Sequence, residues 1–170
     1  SKASKGAFDI SIGPLTKLWR RAFRRQQFPE TEKIEAAQKQ VRYKWIKRYD
    51  KTQQVKLKKP DMRLDLGGIA KGYAVDEAAK VLQSYGLRQM LIDGGGDLYA
   101  GVAPPDADGW TVERHTVQDG EVVSEVFVLE DEAIATSGDT YRFLEWKEQR
   151  YSHIIDPRTG LGLTNRREVT

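Results

Sequence analysis

The chain has 170 residues, of which 39% are apolar and 31% are charged, and its formal net charge is +3 at pH 7. This length is sufficient for one domain with a sizeable buried core. The mean hydropathy is −0.63, and no apolar run approaches the roughly 18 residues of a transmembrane helix, which argues against a membrane-spanning protein. The sequence has no cysteine and therefore forms no disulfide.

Apolar residues at helical spacing predict a first helix from about Pro14 to Arg25, with its proline in the first turn, where a missing N–H costs nothing. A second helix is expected to begin near Thr31 as its N-cap and to turn Ile34, Ala37 and Val41 inward. The face of the first helix opposite its apolar residues is basic, and we interpret it as solvated: Lys17, Arg20, Arg21, Arg24 and Arg25.

Alternating apolar and basic residues over Val41–Trp45 and Val55–Leu57 predict a strand or a hairpin, with Asp50-Lys51 at its turn. A short apolar strand over residues 64–66 should then lead through a glycine pair into a helix that stops at Gly86, a residue suited to the left-handed C-terminal position. The following region is rich in predicted strands: Gln89 to Ile92, Leu98 to Gly101, Trp110 to Arg114 and Val122 to Leu129, with turns at 104–106 and 118–120.

Strands in succession after two or three helices predict an α+β fold with a mixed or mainly antiparallel sheet and flanking helices. We expect one domain over residues 1–170, because no linker or repeat interrupts the chain. Between the predicted strand and helix, Gly67 and Gly68 would offer bare backbone to an anion, with Lys71 nearby. The segment has neither a P-loop ending nor a dinucleotide fingerprint, so a plain tight turn is the alternative interpretation.

Five segments in order carry a resemblance to a known family: Gly6–Leu15, Leu64–Asp76, Leu91–Leu98, Ala133–Asp139 and Tyr151–Gly160. Together they resemble the ApbE family, the FAD:protein FMN transferases, over nearly the whole chain. The resemblance implies an Mg²⁺-dependent enzyme that transfers FMN from FAD to a Thr or Ser hydroxyl of a target flavoprotein and releases AMP. It implies FAD as substrate, Mg²⁺ as metal, a flavoprotein subunit as partner, and no role for nucleic acid.

The resemblance also implies roles for individual residues. The backbone carbonyl of Gly68 would ligate Mg²⁺, which prefers hard oxygen ligands. His153 would be the general base, since imidazole titrates near neutral pH, whereas His115 lies in a polar, strand-like stretch and is interpreted as a surface residue. Contacts with FAD are implied for Ala7, Phe8, Asp9, Asp65, Lys71, Thr136, Ser137, Gly138 and Asp139.

For Asp65 the alternative is a turn carboxylate, and for Lys71 a solvated helix lysine. The matched segments correspond to the middle of a family member, so the resemblance implies further segments at both ends, the second of which completes the Mg²⁺ site. It places the parent protein on the periplasmic side of the bacterial inner membrane, often as a lipoprotein, although these 170 residues contain no signal.

Two other function classes remain open from the sequence. One is a protein that binds FAD, or hydrolyses it to FMN and AMP, without transferase activity. The other is a basic interaction domain for nucleic acid or an anionic membrane, whose binding would depend strongly on salt and not on FAD.

Overall fold

The computed structural model describes residues 1–118, 121–138, 142–165 and 168–170. Three α-helices are described: α1 (Gly13–Arg25), α2 (Thr31–Gln38) and α3 (Ala70–Ser84). The described strands are β1 (Ile46–Tyr49), β2 (Gln54–Leu57), β3 (Leu91–Asp93), β4 (Asp97–Ala100), β5 (Trp110–Gln118), β6 (Glu121–Leu129), β7 (Glu132–Ala135), β8 (Phe143–Trp146) and β9 (Gln149–Ser152). None of these described helices is long and apolar enough to cross a membrane.

Strands pair antiparallel in each sheet: β1 with β2, β3 with β4 and β4 with β7, β5 with β6, and β8 with β9. The predicted α+β class with mainly antiparallel pairing is therefore confirmed, although the pairing is divided among small sheets. The chain forms two compact units, residues 1–66 with 138–169 and residues 67–137 with 170. The expectation of one domain stays a prediction.

In the first unit, α1 forms where the apolar spacing predicts it. Pro14 stands in the first turn, and the helix ends at Gln26, which has a left-handed φ of 49°. Leu15 and Trp19 are fully buried and pack with α2, β8 and the chain after β9. The described core cluster consists of Leu15, Trp19, Ala22, Ile34, Leu144 and Ile155.

Aromatic rings surround Trp19 in this core. Its ring centroid lies 5.6 Å from that of Phe28 and 5.7 Å from that of Tyr151. The indole Nε1 donates a hydrogen bond of 2.8 Å to the carbonyl of Gly160, which satisfies the single polar atom of the buried ring. This contact ties α1 to the turn that follows β9.

The second helix and the hairpin show where local patterns mislead. Glu30 occupies the N-cap and Thr31 is already helical, while α2 ends at Gln38, so Val41 packs against the core from beyond the helix. The β1–β2 hairpin is confirmed with its turn at residues 50–52. Its first strand begins at Ile46 instead of Val41, because residues 43–45 form a 3₁₀ turn.

In the second unit, α3 ends as predicted. Gly86 has a φ of +79°, and Leu87 N donates to the carbonyl of Leu82, which closes the helix. The expected strand over residues 64–66 is absent from the described structure, since those residues have no ladder partner and form an irregular segment. Val75 and Ala79 are the buried residues of α3.

Candidate functional site

The predicted FAD segment at the start of the chain is organised around Asp9, which is 7% exposed. Its Oδ1 accepts hydrogen bonds from the backbone N–H of Ser11 at 2.8 Å and from the Ser11 hydroxyl at 2.7 Å. Its Oδ2 accepts one from the N–H of Tyr43 at 2.9 Å. The carboxylate therefore fixes the loop before α1 to the chain before β1, while Ala7 and Phe8 remain exposed beside it.

A cavity of about 200 Å³ lies against this loop. Gly6 and Asp9 line one part of it, and the cationic residues Arg42, Lys44 and Arg158 line another. The cavity lining therefore combines one carboxylate with three cations, of which Arg158 is already paired with Asp156 at 2.7 Å.

The glycine-pair motif crosses the boundary between the two units, with Asp65 in the first and Gly68 and Lys71 in the second. The Oδ2 atom of Asp65 accepts a hydrogen bond from the Thr16 hydroxyl at 2.7 Å and an ion pair from Arg20 at 2.9 Å. Its side chain is 13% exposed. Asp65 is thus bound to side chains of α1. This structural role is closer to the alternative interpretation as a turn carboxylate, and the contact of Asp65 with FAD stays a prediction.

Lys71 lies in the first turn of α3 and contacts the turn between β3 and β4. Its Nζ donates to Asp97 Oδ1 at 2.6 Å and to the carbonyl of Gly95 at 3.1 Å. Lys71 is therefore a positioned ammonium group and not a freely solvated lysine. Its side chain keeps 47% of its surface exposed, so it remains accessible to a ligand.

The β3–β4 turn is itself shaped by three glycines. Gly95 and Gly96 have φ values of +77° and +90°, which residues with side chains rarely adopt. Gly94 packs against α3, since a Cβ there would lie 2.5 Å from Val75 Cγ2. The Asp93 carboxylate accepts the N–H of Gly96 at 2.7 Å, so carboxylates flank the turn on both sides.

The Thr-Ser-Gly segment after β7 was predicted to contact the flavin or phosphate. Thr136 Oγ1 lies 2.9 Å from Thr170 Oγ1 within the second unit, and Ser137 is exposed. Gly138 belongs to the first unit, where a Cβ would lie 3.2 Å from Glu168 Cγ. Asp139 lies outside the described residues.

His153 follows the last residue of β9. Its backbone N–H donates to the carbonyl of Arg142 at 2.9 Å, and its Nδ1 lies 3.2 Å from the same oxygen. A carbonyl only accepts, so Nδ1 carries the hydrogen, and in the neutral ring Nε2 carries the lone pair that a general base uses. His115 is exposed, as predicted, and its Nδ1 contacts the Ser124 hydroxyl at 2.9 Å.

The turn after His153 is held by Asp156 and Arg158. Both oxygens of the Asp156 carboxylate accept from the guanidinium, at distances down to 2.7 Å. These hydrogen bonds to Arg158 lower the pKa of Asp156 below its usual range, against a smaller opposing effect of burial. Gly160 closes the turn with a φ of +73°, and its Cβ position is filled by Ile34 Cγ2 at 2.8 Å.

The described residues contain no cluster of side chains that could hold a metal ion. No group of three or more His, Asp or Glu side chains placed to hold a metal occurs in residues 1–118, 121–138, 142–165 and 168–170. Gly68 lies in an exposed turn before α3, where it contributes one backbone carbonyl. These residues do not by themselves make the hard, near-octahedral oxygen shell that Mg²⁺ requires.

The sequence motifs did not identify Asp97 as a contact of Lys71. It is the ion-pair partner of Lys71, although 26 residues separate them. The signal was present in the run Asp93-Gly94-Gly95-Gly96-Asp97, where a carboxylate stands at each end of a turn that only glycine can form readily.

Comparison with known proteins gives concordant results. The sequence model of the ApbE family matches residues 1–170. Two relatives named FAD:protein FMN transferase are similar to this chain. The one from Klebsiella pneumoniae (strain 342) is 32% identical, and the alignment covers 97% of this chain and 51% of the relative. The other, from Vibrio cholerae O395, is 34% identical, with 96% and 49% covered.

Solved structures agree with the sequence comparison. The ApbE protein of Thermotoga maritima superposes with a TM-score of 0.81 at 33% identity, over 95% of this chain and 52% of that one. The flavin transferase ApbE of Vibrio cholerae gives 0.81 at 30% identity, over 97% and 52%. The chain spans about half the length of the relatives it matches. On the match over its whole length, the chain belongs to the ApbE family.

Proposed function

We propose that this protein transfers FMN from FAD to a Thr or Ser hydroxyl of a partner flavoprotein and releases AMP. The observation that carries the proposal is membership of the ApbE family along the whole chain, with relatives named FAD:protein FMN transferase. The proposal includes dependence on Mg²⁺, and this part rests on the family resemblance alone.

The chemistry requires that charge on the FAD pyrophosphate be neutralised and that a hydroxyl be activated. Lys71 supplies a cation for the first task, and its contacts with Asp97 and Gly95 hold the ammonium in place before a ligand arrives. Preorganisation of this kind avoids the cost of ordering a long side chain at the moment of reaction.

His153 performs the second task, which is to activate the acceptor hydroxyl. Nε2 takes the proton of the acceptor hydroxyl while its oxygen attacks the phosphorus of the FMN half. The bond from that phosphorus to the bridging oxygen breaks, and AMP leaves with this oxygen. The Nδ1 contact with the Arg142 carbonyl keeps the ring in the tautomer required for this transfer.

A binding experiment tests the substrate. FAD is titrated into the protein, and flavin fluorescence is followed for the wild type, Lys71→Ala and Lys80→Ala. Lys80 is the matched control because it also lies on α3 and pairs with a carboxylate, that of Glu77, at 2.7 Å. We expect Lys71→Ala to weaken FAD binding about tenfold or more and Lys80→Ala to leave it unchanged. Equal loss in both variants would reject the assignment of Lys71.

A turnover experiment tests the reaction. FMN, AMP and flavin-labelled protein are measured after incubation with FAD, Mg²⁺ and a flavoprotein that carries the acceptor residue. His153→Ala should lower product formation by about 10²–10⁴-fold while FAD still binds, and His115→Ala should not. Free FMN and AMP without labelled protein would identify a hydrolase, and FAD binding without either product would identify a binding protein; both would overturn the transferase proposal.

We also propose the periplasmic side of the bacterial inner membrane as the compartment, with a lipoprotein anchor, on the family resemblance. Separation of the source cells into periplasmic, membrane and cytoplasmic fractions, with detection of this protein by antibody, is the test, and recovery with the membranes is expected. Recovery in the cytoplasmic fraction would contradict the proposal.

A further inference from the structure

The first unit contains a large groove between α1 and α2 to which the flavin chemistry assigns no role. Its volume is about 720 Å³. Its lining includes the apolar residues Pro14, Leu18, Ala36 and Ala37. The same lining includes five cationic residues: Lys17, Arg21, Arg24, Arg25 and Lys33.

The groove continues beyond its main volume. A second cavity of about 90 Å³ shares Leu18, Arg21, Arg25 and Lys33 with it and is also lined by Phe28, Pro29 and Glu30. The lining residues of the two cavities run from Pro14 to Arg25, nearly the whole length of α1, and continue to Phe28 and Pro29 beyond it. An elongated surface of this kind suits a chain segment better than a compact small molecule.

Four of the five cations that line this groove lack an ion-pair partner among the described residues. Lys33 pairs with Glu30 at 2.6 Å, but Lys17, Arg21, Arg24 and Arg25 form no ion pair with any residue that the structure describes. Arg20 on the same helix provides the contrast, since it pairs with Asp65 at 2.9 Å.

The spacing of these cations has an energetic consequence. Lys17 and Arg21, and Arg21 and Arg25, are four residues apart, and Arg24 is three residues from Arg21, so they are neighbours on one helix surface. Like charges at this spacing destabilise a helix, and an anionic partner relieves the repulsion. Arginine forks also match carboxylates in a bidentate geometry.

We propose that the α1–α2 groove binds an acidic segment of a partner protein. Its carboxylates pair with Arg21, Arg24 and the neighbouring cations, and an apolar side chain of the segment packs against Leu18, Ala36 and Ala37. A bilayer surface fits less well, because the apolar face of α1 is buried in the core and is not available to enter lipid. A nucleic acid fits less well because the lining of the larger cavity contains no aromatic ring for base stacking, and Phe28 of the second cavity packs against Trp19 in the core.

The test uses a fluorescein-labelled peptide about 12 residues long, built from Glu and Asp with two leucines, and measures its binding to the whole chain by anisotropy. The groove variant is Arg21→Gln with Arg24→Gln. The matched control is Lys47→Gln with Lys51→Gln, which removes the same charge from exposed residues of the β1–β2 hairpin. Circular dichroism checks that each variant is folded.

We expect the groove variant to weaken binding about tenfold and the control to change it less than about twofold. A peptide with serine in place of both leucines should also bind the wild type more weakly, a comparison that needs no variant protein. Equal losses in the two variants would show unspecific attraction and overturn the proposal. Tighter binding of phosphatidylglycerol vesicles or of single-stranded DNA than of the peptide, with the same dependence on Arg21 and Arg24, would also overturn it. Because the readout contains no FAD, its failure leaves the transferase proposal intact.

Discussion

Helices α1 and α3 are similar in length, 13 and 15 residues, but differ in what they bury. In α1, Leu15 and Trp19 are fully enclosed by the aromatic core of the first unit. In α3, Val75 and Ala79 are buried, whereas Tyr73 is 66% exposed and Val81 is 56% exposed.

Most of the stability of a protein helix comes from packing of its apolar face and not from propensity. The two helices therefore have different roles in the structure. The inner face of α1 holds its unit together, while α3 is more lightly packed and carries Lys71 against the β3–β4 turn. Substitutions should divide in the same way, with large losses of stability on the inner face of α1 and small ones on the exposed face of α3.

The largest effect on stability is expected from Trp19→Ala. It removes a fully buried ring, its contacts with Phe28 and Tyr151, and the hydrogen bond to Gly160. We expect a loss of about 3–5 kcal/mol in the free energy of unfolding, measured in urea. Tyr73→Ala, the aromatic counterpart on α3, should change it by no more than about 0.5 kcal/mol.

Trp19→Phe separates the contribution of the hydrogen bond from that of the ring, because it keeps an aromatic side chain but lacks the Nε1 donor. It should cost less than Trp19→Ala, about 1–3 kcal/mol, since the Gly160 carbonyl loses its partner. If Tyr73→Ala were as costly as Trp19→Ala, the exposed face of α3 would be covered in solution, and the comparison of the two helices would fail.

A second pair of substitutions compares two glycines that both have positive φ. Gly160 has a φ of +73° and a neighbouring carbon, Ile34 Cγ2, 2.8 Å from the position of a Cβ. Gly86 has a φ of +79° at the end of α3 and open space around it. Alanine should cost about 1–2 kcal/mol at Gly86 from backbone strain alone, and about 2–5 kcal/mol at Gly160, where overpacking is added.

The same urea titrations measure this pair. Equal losses at the two glycines would mean that the core beside Gly160 adjusts to an extra methyl group at no cost. A larger loss of unfolding free energy at Gly86 than at Gly160 would contradict the tight packing around Gly160.

The elements that the sequence predicts well are those determined by neighbours in the chain. The spacing of Leu15, Trp19 and Ala22 defines α1, and Gly86 defines the end of α3. The contact between Trp19 and Gly160 spans 141 residues, and no local pattern contains it. For the same reason the local patterns assign Val41 both to the second helix and to the following strand, although its core contact comes from the segment after α2.

For the candidate site residues, too, local motifs predict some features, while contacts between distant segments determine others. The glycine-pair turn, Lys71 at the start of α3, and His153 at the end of β9 follow from the motifs. The bonds of Asp9 to Ser11 and Tyr43, and of Lys71 to Asp97, depend on how distant segments meet. They show that one predicted FAD contact has a structural role in its loop and that another has a partner that the motif does not contain.

The smallest expected effect concerns two surface ion pairs, one in each unit. Arg158 lowers the pKa of Asp156 in the first unit, while Lys80 pairs with Glu77 on α3. A depressed carboxyl pKa contributes stability above the unfolded value of about 3.9, and the contribution disappears as pH falls through the lower folded value. Arg158→Gln should therefore raise the pKa of Asp156, measured by NMR of its carboxyl carbon.

The pH dependence of the melting temperature gives the second measurement of this pair. The difference in Tm between wild type and Arg158→Gln should be present near neutral pH and should shrink as pH falls below about 4. Lys80→Gln should give no resolvable change in Tm, since its ammonium is exposed and its pair forms within one helix turn. A Tm difference for Arg158→Gln that is constant down to acid pH would show that Arg158 acts through packing of the turn and not through the charge of Asp156.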